Sequence, residues 1–303
     1  MHVNGIELRR LWFDQFDLYS EYHRTSSYDD LTFYSSFPLL MRGIHGYRVI
    51  SGYLFLFRIL MKDSQPERVD SVSVPRNLKG ELLDTDSIHS VLVRLNGNRS
   101  GRIVYVNEGV HSRIEGKVPC LRNRTPGRQY VYDNDALSRL EGGDFKNLRK
   151  NVNKFARGDL EIVPYEQSLR NALDDLYVKW CRTGGTKYNV IWDTDLYKNL
   201  IGNFGTIRHL LFVVVNRASS EPVGFFDAVP INQSISVGVF RKILPQYNGA
   251  AEYCQVFLAR RLSEIGCKYL NDGDDADRPG LRDLKSKFHP IHTFDTFAYK
   301  LAG

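Results

Sequence analysis

Cysteine is scarce in this 303-residue chain, with Cys120, Cys181, Cys254 and Cys267 scattered, no C-x-x-C pair and no histidine close by. Zinc sites need paired ligand spacing, so these thiols are expected to be structural and reduced, as in a cytosolic compartment. Cys254 and Cys267 are placed on or beside a helix. Long apolar runs are missing too. The most apolar early stretch, Val49 to Met61, is broken by Gly52 and Arg58 and falls short of the ~20 residues of a membrane span. The opening Met1-His-Val-Asn-Gly-Ile-Glu7 lacks the basic-then-apolar pattern of a secretory leader. The chain therefore reads as cytoplasmic, with no transmembrane segment. No Gly-x-Ser-x-Gly elbow is present, which argues against a covalent serine intermediate, and no internal repeat is visible.

The composition is that of a folded domain, 42% hydrophobic and 25% charged, and the length suits two compact domains of about 150 residues each. Net charge is +6, unevenly spread. Between Arg99 and Arg157 thirteen basic residues stand against six acidic ones, so this middle fifth carries the whole excess. Such a field suits a polyanionic partner, namely tRNA, an acidic lipid surface or a phosphate-bearing cofactor. A solvated basic face with no partner is the plain alternative.

Periodicity predicts alternating short strands and helices up to about residue 125. Leu8 to His23 has helical spacing, Tyr47 to Met61 reads as two strands about Ser51-Gly52, and Leu82 to Leu95 as a helix running into a strand. Arg102 to Val106 reads as a strand, followed by a glycine- and charge-rich stretch from Asn107 to Gly116. Turn formers cluster at Arg122-Asn-Arg-Thr-Pro-Gly-Arg128, giving domains 1–128 and 129–303. In the second, Gln129–Asp133 reads as a strand, and Asp135 as the cap of a helix over Ala136–Leu140. Phe145–Phe155 reads as a basic helix, and Leu169–Cys181 and Thr194–Phe204 as two more helices. Strands are expected at Leu160–Pro164, Leu210–Val215, Pro222–Val229 and Ser234–Phe240. A loop at Leu244–Gly249, a helix at Ala250–Ile265 and a strand at Tyr269–Asn271 complete what looks like a GNAT-type acyltransferase core.

Two segments could carry chemistry. Gln246-Tyr-Asn248-Gly249-Ala250-Ala251 fits the pattern Gln/Arg-x-x-Gly-x-Gly/Ala at a strand-to-helix turn. Gly249 lets a backbone approach, and the amides opening the helix point outward with its dipole behind them. That is a cradle for a pyrophosphate, or simply a helix start with a turn glycine. The tail from Tyr269 to Pro290 places Asp272, Asp274, Asp275 and Asp277 in one loop before a basic helix with Arg282, Lys285 and Lys287. The acidic run lacks the glutamate of an EF-hand. One or two of its acids could orient a nucleophile while a cation holds a phosphate; an exposed acidic turn before a solvated helix is the bland reading. His289 is the histidine closest to this loop.

Tyr132 to Phe155, together with Gly280-Leu-Arg282-x-x-Lys285-x-Lys287-Phe-x-Pro290, resembles the C-terminal domain family of phosphatidylglycerol lysyltransferases, above all its stand-alone members. Asp30-Leu-Thr-Phe33 is similar to the opening D-L-S-F of those proteins. The resemblance implies an α/β fold with mixed sheets, two tandem GNAT-like acyltransferase domains, and transfer of an aminoacyl group from aminoacyl-tRNA to a lipid or small-molecule acceptor. No tightly bound cofactor and no metal are expected. The resemblance points to Asp274, Asp275, Arg282 and Lys285 as catalytic; His289 is a catalytic candidate only by its closeness to the acidic loop, and its His-Pro setting also fits a structural turn. Gln246, Asn248, Gly249, Ala250 and Ala251 form the cofactor loop, and Arg149, Lys150, Lys154 and Lys287 are candidates for tRNA or phosphate. The alternative on the same fold is a CoA-dependent N-acyltransferase. A degenerate fold kept as a binding module is the non-enzymatic reading.

Overall fold

The computed structural model describes residues 1–97, 99, 101–114, 120–156, 158–185, 193–247 and 249–301. Two mixed sheets dominate it. The first has the order β3 (Arg9–Arg10), β4 (His45–Ile50), β5 (Tyr53–Lys62), β6 (Gln65–Val72), β7 (Arg102–Asn107), β17 (Thr296–Leu301), β8 (Cys120–Arg124). The second runs β10 (Leu160–Pro164), β11 (Leu210–Asn216), β12 (Pro222–Pro230), β13 (Ile235–Val237), β15 (Tyr269–Asp274), β9 (Gln129–Asp133), β16 (His292–Phe294), with β14 (Arg241–Ile243) also on β12. A small hairpin, β1 (His2–Val3) with β2 (Ile6–Glu7), stands apart.

Each sheet contains one parallel pair, β6 with β7 and β13 with β15. A parallel pair needs a crossover connection, and here a helix supplies it in each half, Thr85–Leu95 in the first and Ala250–Glu264 in the second. Strand β5 reads as a continuous apolar run because both faces of its sheet are covered. Leu54 and Leu56 face a core shared with the second half, while Phe55, Phe57 and Ile59 pack with Ile88, Leu92 and Leu95 of the first crossover helix.

The chain crosses between the sheets twice, from β8 to β9 and from β16 to β17. Strand β8 pairs with β17 and β9 with β16, so a two-stranded ribbon runs through both halves. A sequential cut at 128/129 therefore leaves Thr296–Leu301 on the other side from the sheet it completes. Gln129 sits at the crossing. Its Oε1 accepts from Phe33 N at 2.8 Å and Asn271 Nδ2 at 3.0 Å, and its Nε2 donates to Thr296 Oγ1 at 2.8 Å.

Local differences from the sequence reading have local causes. The helix expected over Leu8–His23 is confined to Phe16–Tyr22, since Arg9–Arg10 are drawn into the first sheet against Gly46 and Tyr47. Asp133, not Asp135, caps the Asn134–Arg139 helix through Ala136 N at 2.9 Å. A helix, Glu108–Ile114, occupies the stretch read only as glycine- and charge-rich. Leu82 to Leu95 supplies only a helix, from Thr85 onward, and the next strand waits until Arg102. Cys254 lies in the second crossover helix and Cys267 just beyond it, both buried and unbridged. No described helix is long and apolar enough to cross a membrane.

Candidate active site

The second sheet opens where its parallel pair ends. Pairing of β13 with β15 runs to Val237↔Asn271, with a last bond from Gly238 N to Asn271 O at 2.9 Å. Beyond it the strands part, because β12 pairs with β14 through residues 224–226 but with β13 through 229–230. Asp227 stands at the change of partner. Its Oδ1 accepts from Val239 N (3.0 Å) and Phe240 N (2.6 Å), and its Oδ2 meets His209 Nε2 at 2.7 Å. A buried carboxylate thus satisfies amides that the irregular strand cannot pair. Those two N–H groups are engaged, so a substrate oxygen in the opening needs other donors.

Asp272 is the first residue past the parallel pairing, and it turns into the opening. A Cβ on Gly238 would lie 3.3 Å from its Oδ1. Two cations converge on it, Arg241 Nη2 at 2.9 Å and Lys285 Nζ at 2.9 Å, with side-chain exposures of 13% and 5% against 9% for the aspartate. Arg241 also donates to Gln255 and lies 5.5 Å over the Phe288 ring. Lys285 sits 5.9 Å over Tyr130, and its backbone carbonyl accepts from Tyr132 OH at 3.0 Å. Burial alone would raise the Asp272 carboxyl, but Arg241 and Lys285 reverse that and hold it below its ordinary value. Burial lowers the Lys285 ammonium, against the pull of Asp272. Two cations share this carboxylate, and Asp274 also acts on Lys285.

Lys285 was expected from the sequence; Arg241 and Asp272 as its partners were not. The four aspartates do not share one loop, because β15 continues through Asp274 and sends them to different neighbours. Asp275 is fully buried and accepts from Arg282 Nε at 2.8 Å, Tyr130 OH at 2.9 Å and the amides of Arg128 and Asp277. Burial works to raise its carboxyl, and these donors bring it below the usual range. Arg282 is half-exposed and also reaches Asp277 at 3.7 Å. This pair fixes the turn into the Pro279–Ser286 helix. Asp274 faces the first half, where Tyr34 OH donates to its Oδ2. Burial raises the Asp274 carboxyl. His289 turns elsewhere: its Nε2 meets Asp144 O at 3.0 Å and its ring stands edge-on to Phe145 at 4.9 Å.

Gly249 opens the Ala250–Glu264 helix at φ +88°, with no side chain capping the helix. A Cβ there would lie 2.5 Å from Phe155 Cε2, so glycine is required both for conformation and for the approach of the Lys146–Ala156 helix. Gln246 is exposed, and Ala250 and Ala251 begin the helix; Asn248 lies outside the described residues. Lys287 is half-exposed and 3.5 Å from Glu252 in the helix's first turn. On the packed Lys146–Ala156 helix, Lys146, Lys150 and Lys154 are exposed, and no ion pair among the described residues involves them. Arg149 is committed locally, donating to Leu140 O and, at 2.9 Å, to Gly142 O. Elsewhere in the basic middle, Arg113 pairs with Asp30 at 2.5 Å and Arg128 with Asp295 at 3.7 Å.

Against known proteins, the family model described as phosphatidylglycerol lysyltransferase, C-terminal, matches residues 106–299. Among solved structures, a conserved protein of unknown function from Bacteroides thetaiotaomicron has a TM-score of 0.84 at 18% identity, covering 98% of this chain and 100% of that one. L-PGS from Bacillus licheniformis has a TM-score of 0.67 at 13% identity, with 95% and 91% covered. A tandem GNAT protein from the clavulanic acid biosynthesis pathway has a TM-score of 0.50 at 9% identity, with 98% of each chain covered. No curated protein matches the sequence. The fold is α/β with mixed sheets, in two tandem GNAT-like halves.

Proposed function

The chain belongs to the phosphatidylglycerol lysyltransferase C-terminal family, and on that premise we propose that it transfers an acyl group. The donor we propose is aminoacyl-tRNA, and the acceptor a hydroxyl or amine of a lipid or small molecule. In such a transfer the acceptor attacks the ester carbonyl and negative charge develops on the carbonyl oxygen. The amides of Val239 and Phe240 are engaged by Asp227, which leaves Lys285 and Arg241 as the cations able to meet that charge. Their burial strengthens the interaction, since charge in a water-poor site is poorly screened. Holding donor and acceptor in line supplies further acceleration.

The observation that carries the choice of donor is the lysine row on the Lys146–Ala156 helix, packed against the loop at Gly249. Like charges four apart destabilise a helix by a few tenths of a kcal/mol. A row of three beside an uncapped helix start suits a chain of phosphates better than one pyrophosphate. The second reading, a CoA-dependent N-acyltransferase, is favoured by the Gly249 loop, a helix start without a side-chain cap that suits a single pyrophosphate.

Binding and single-turnover transfer with charged tRNA and with acetyl-CoA separate the two. Between about 50 and about 200 mM salt, tRNA affinity is expected to fall steeply. Replacing Lys146, Lys150 and Lys154 by Gln should reduce the slope of log K against log salt by about 2–3. Lys285→Ala should lower single-turnover transfer by about 10²–10³-fold while leaving tRNA binding nearly intact. Tight acetyl-CoA binding without tRNA affinity would replace the first reading by the second.

A further inference from the structure

The first half meets the carboxylates at the end of β15 through Tyr34. Tyr34 follows Phe33, whose amide is held by Gln129, and Gln129 also holds Asn271 of β15. Two residues further along β15, the turn at Gly273 (φ +74°) packs against the Phe33 ring, 3.2 Å from where a Cβ would stand. Tyr34 and Asp274 are thereby brought together from sequence positions 240 residues apart. The ring of Tyr34 is stacked on Tyr105 at 5.3 Å and 26°, and Tyr105 OH accepts from Arg58 at 3.0 Å. The other carboxylate oxygen of Asp274 accepts from Ala276 N at 2.9 Å. Gly127 closes over this carboxyl, since a Cβ there would lie 2.9 Å from Asp274 Cγ.

We infer that Tyr34 is a positioning residue of the transfer reaction, holding Asp274 as the group that takes the acceptor's proton, so that the site is assembled from both halves. This rests on the acyl-transfer reading above. The acceptor's hydroxyl or amine gives its proton to the Asp274 carboxylate as its oxygen or nitrogen bonds to the donor's carbonyl carbon. The ester carbon–oxygen bond then breaks, the electron pair leaves on the donor oxygen, and the carboxylic acid returns the proton to that oxygen. A carboxyl raised by burial is a better proton acceptor at neutral pH than a solvated one.

The charged and titratable groups facing Asp274 are Tyr34, Lys285 and Asp275, and those facing Tyr34 are Asp274, Tyr105 and Arg42. The Tyr34 hydrogen bond and Lys285 both favour the carboxylate, while burial and Asp275 oppose it. Removing the hydroxyl therefore moves the carboxyl further up. Tyr34→Phe keeps the stacked ring and deletes only that bond. It should lower kcat by about 10–100-fold, leave KM for the donor within about twofold, and shift the acid limb of the pH profile to higher pH. A carboxyl-carbon NMR titration of Asp274 in the full chain, with and without the substitution, reads the same upward shift without substrate. If the wild type transfers and Tyr34→Phe changes neither kcat nor the acid limb, the role of Tyr34 is overturned. If the wild type transfers from neither charged tRNA nor acetyl-CoA, the acyl-transfer reading fails and this inference falls with it. An unshifted Asp274 titration overturns it independently of any assay.

Discussion

The two halves solve the same architectural problem with opposite chemistry. In each, a parallel pair ends and the next residue of the later strand enters the opening: Tyr105 after Val104 in the first half, Asp272 after Asn271 in the second. The first opening is closed by stacked rings, with Tyr105 at φ +61° lying over Tyr34. Its ion pairs sit to one side, where Asp70 meets Arg58 at 2.7 Å and Arg68 at 3.0 Å. The second opening is held by a buried carboxylate between two buried cations. The crossover helices differ in the same sense. Asp84 caps the first with its carboxylate, accepting from Ser87 N at 2.8 Å, and Asp86 follows in the first turn. Gly249 leaves the second uncapped. The first half fills its opening with rings and caps its helix with a carboxylate, whereas the second holds an ion cluster in its opening and leaves its helix start without a side-chain cap.

The largest effect that tests this contrast is on stability. Asp272→Ala would strand Arg241 and Lys285 without their carboxylate in a dry site, a loss of about 3–5 kcal/mol. Asp70→Ala removes a fully buried acid from arginines that remain 25% and 32% exposed. Water can solvate those cations, so the loss there should be about 1–2 kcal/mol. Denaturant unfolding of both variants gives the comparison directly, and equal losses would break it. Acid adds a second reading. The folded Asp272 carboxyl lies below its ordinary value, whereas an unfolded aspartate titrates at about 3.9. Its contribution is therefore fully present above that pH and lost as pH falls through the folded value. The gap in stability between wild type and Asp272→Asn should narrow below about pH 4.

Activity should separate the helix starts. Gly249→Val places a β-branched residue at φ +88° against the Phe155 ring, a conformation such residues avoid. Strain of about 1–3 kcal/mol is expected, and the Phe155 ring must move away from the loop. Donor binding should weaken by tenfold or more, read as the donor concentration for half-maximal single-turnover transfer. A variant with full transfer would show that the loop is only a helix start.

How much of this was legible in the sequence depends on how local each cause was. The β4–β5 hairpin was readable because Ser51 and Gly52 both take positive φ between apolar runs, and the Ala250–Glu264 helix because periodicity and a turn glycine agree. The Glu108–Ile114 helix was hidden by Gly109. That glycine is there because Asp29 O lies 2.6 Å from where its Cβ would be, not because the chain turns. Of the site, Lys285 stood out by its tail motif. Its partner Arg241 did not, since a cation on a three-residue strand has no local spacing to announce it and its carboxylate comes 31 residues later. Asp272 was visible only as one of four acids, because the strand that carries it past the parallel pairing was expected to end at Asn271. The pairing of β17 with the first sheet depends on contacts nearly 180 residues apart, and no window of sequence carries that.

The smallest effect sharpens the contrast most. Asp84→Ala removes the carboxylate that caps the first crossover helix, leaving Ser87 N and Ser87 Oγ without their acceptor. The site is exposed, so water replaces the lost bonds and the change should cost only about 1 kcal/mol, read as a modest fall in the unfolding midpoint. Transfer should be unchanged, because Asp84 touches none of the residues proposed to act in it. If Asp84→Ala instead gained affinity for inorganic phosphate, the first half would be a dormant copy of the site, held shut by one side chain. If it loses stability alone, the difference between the halves is built into the openings themselves, where Tyr105 and Asp272 occupy matching positions with incompatible chemistry.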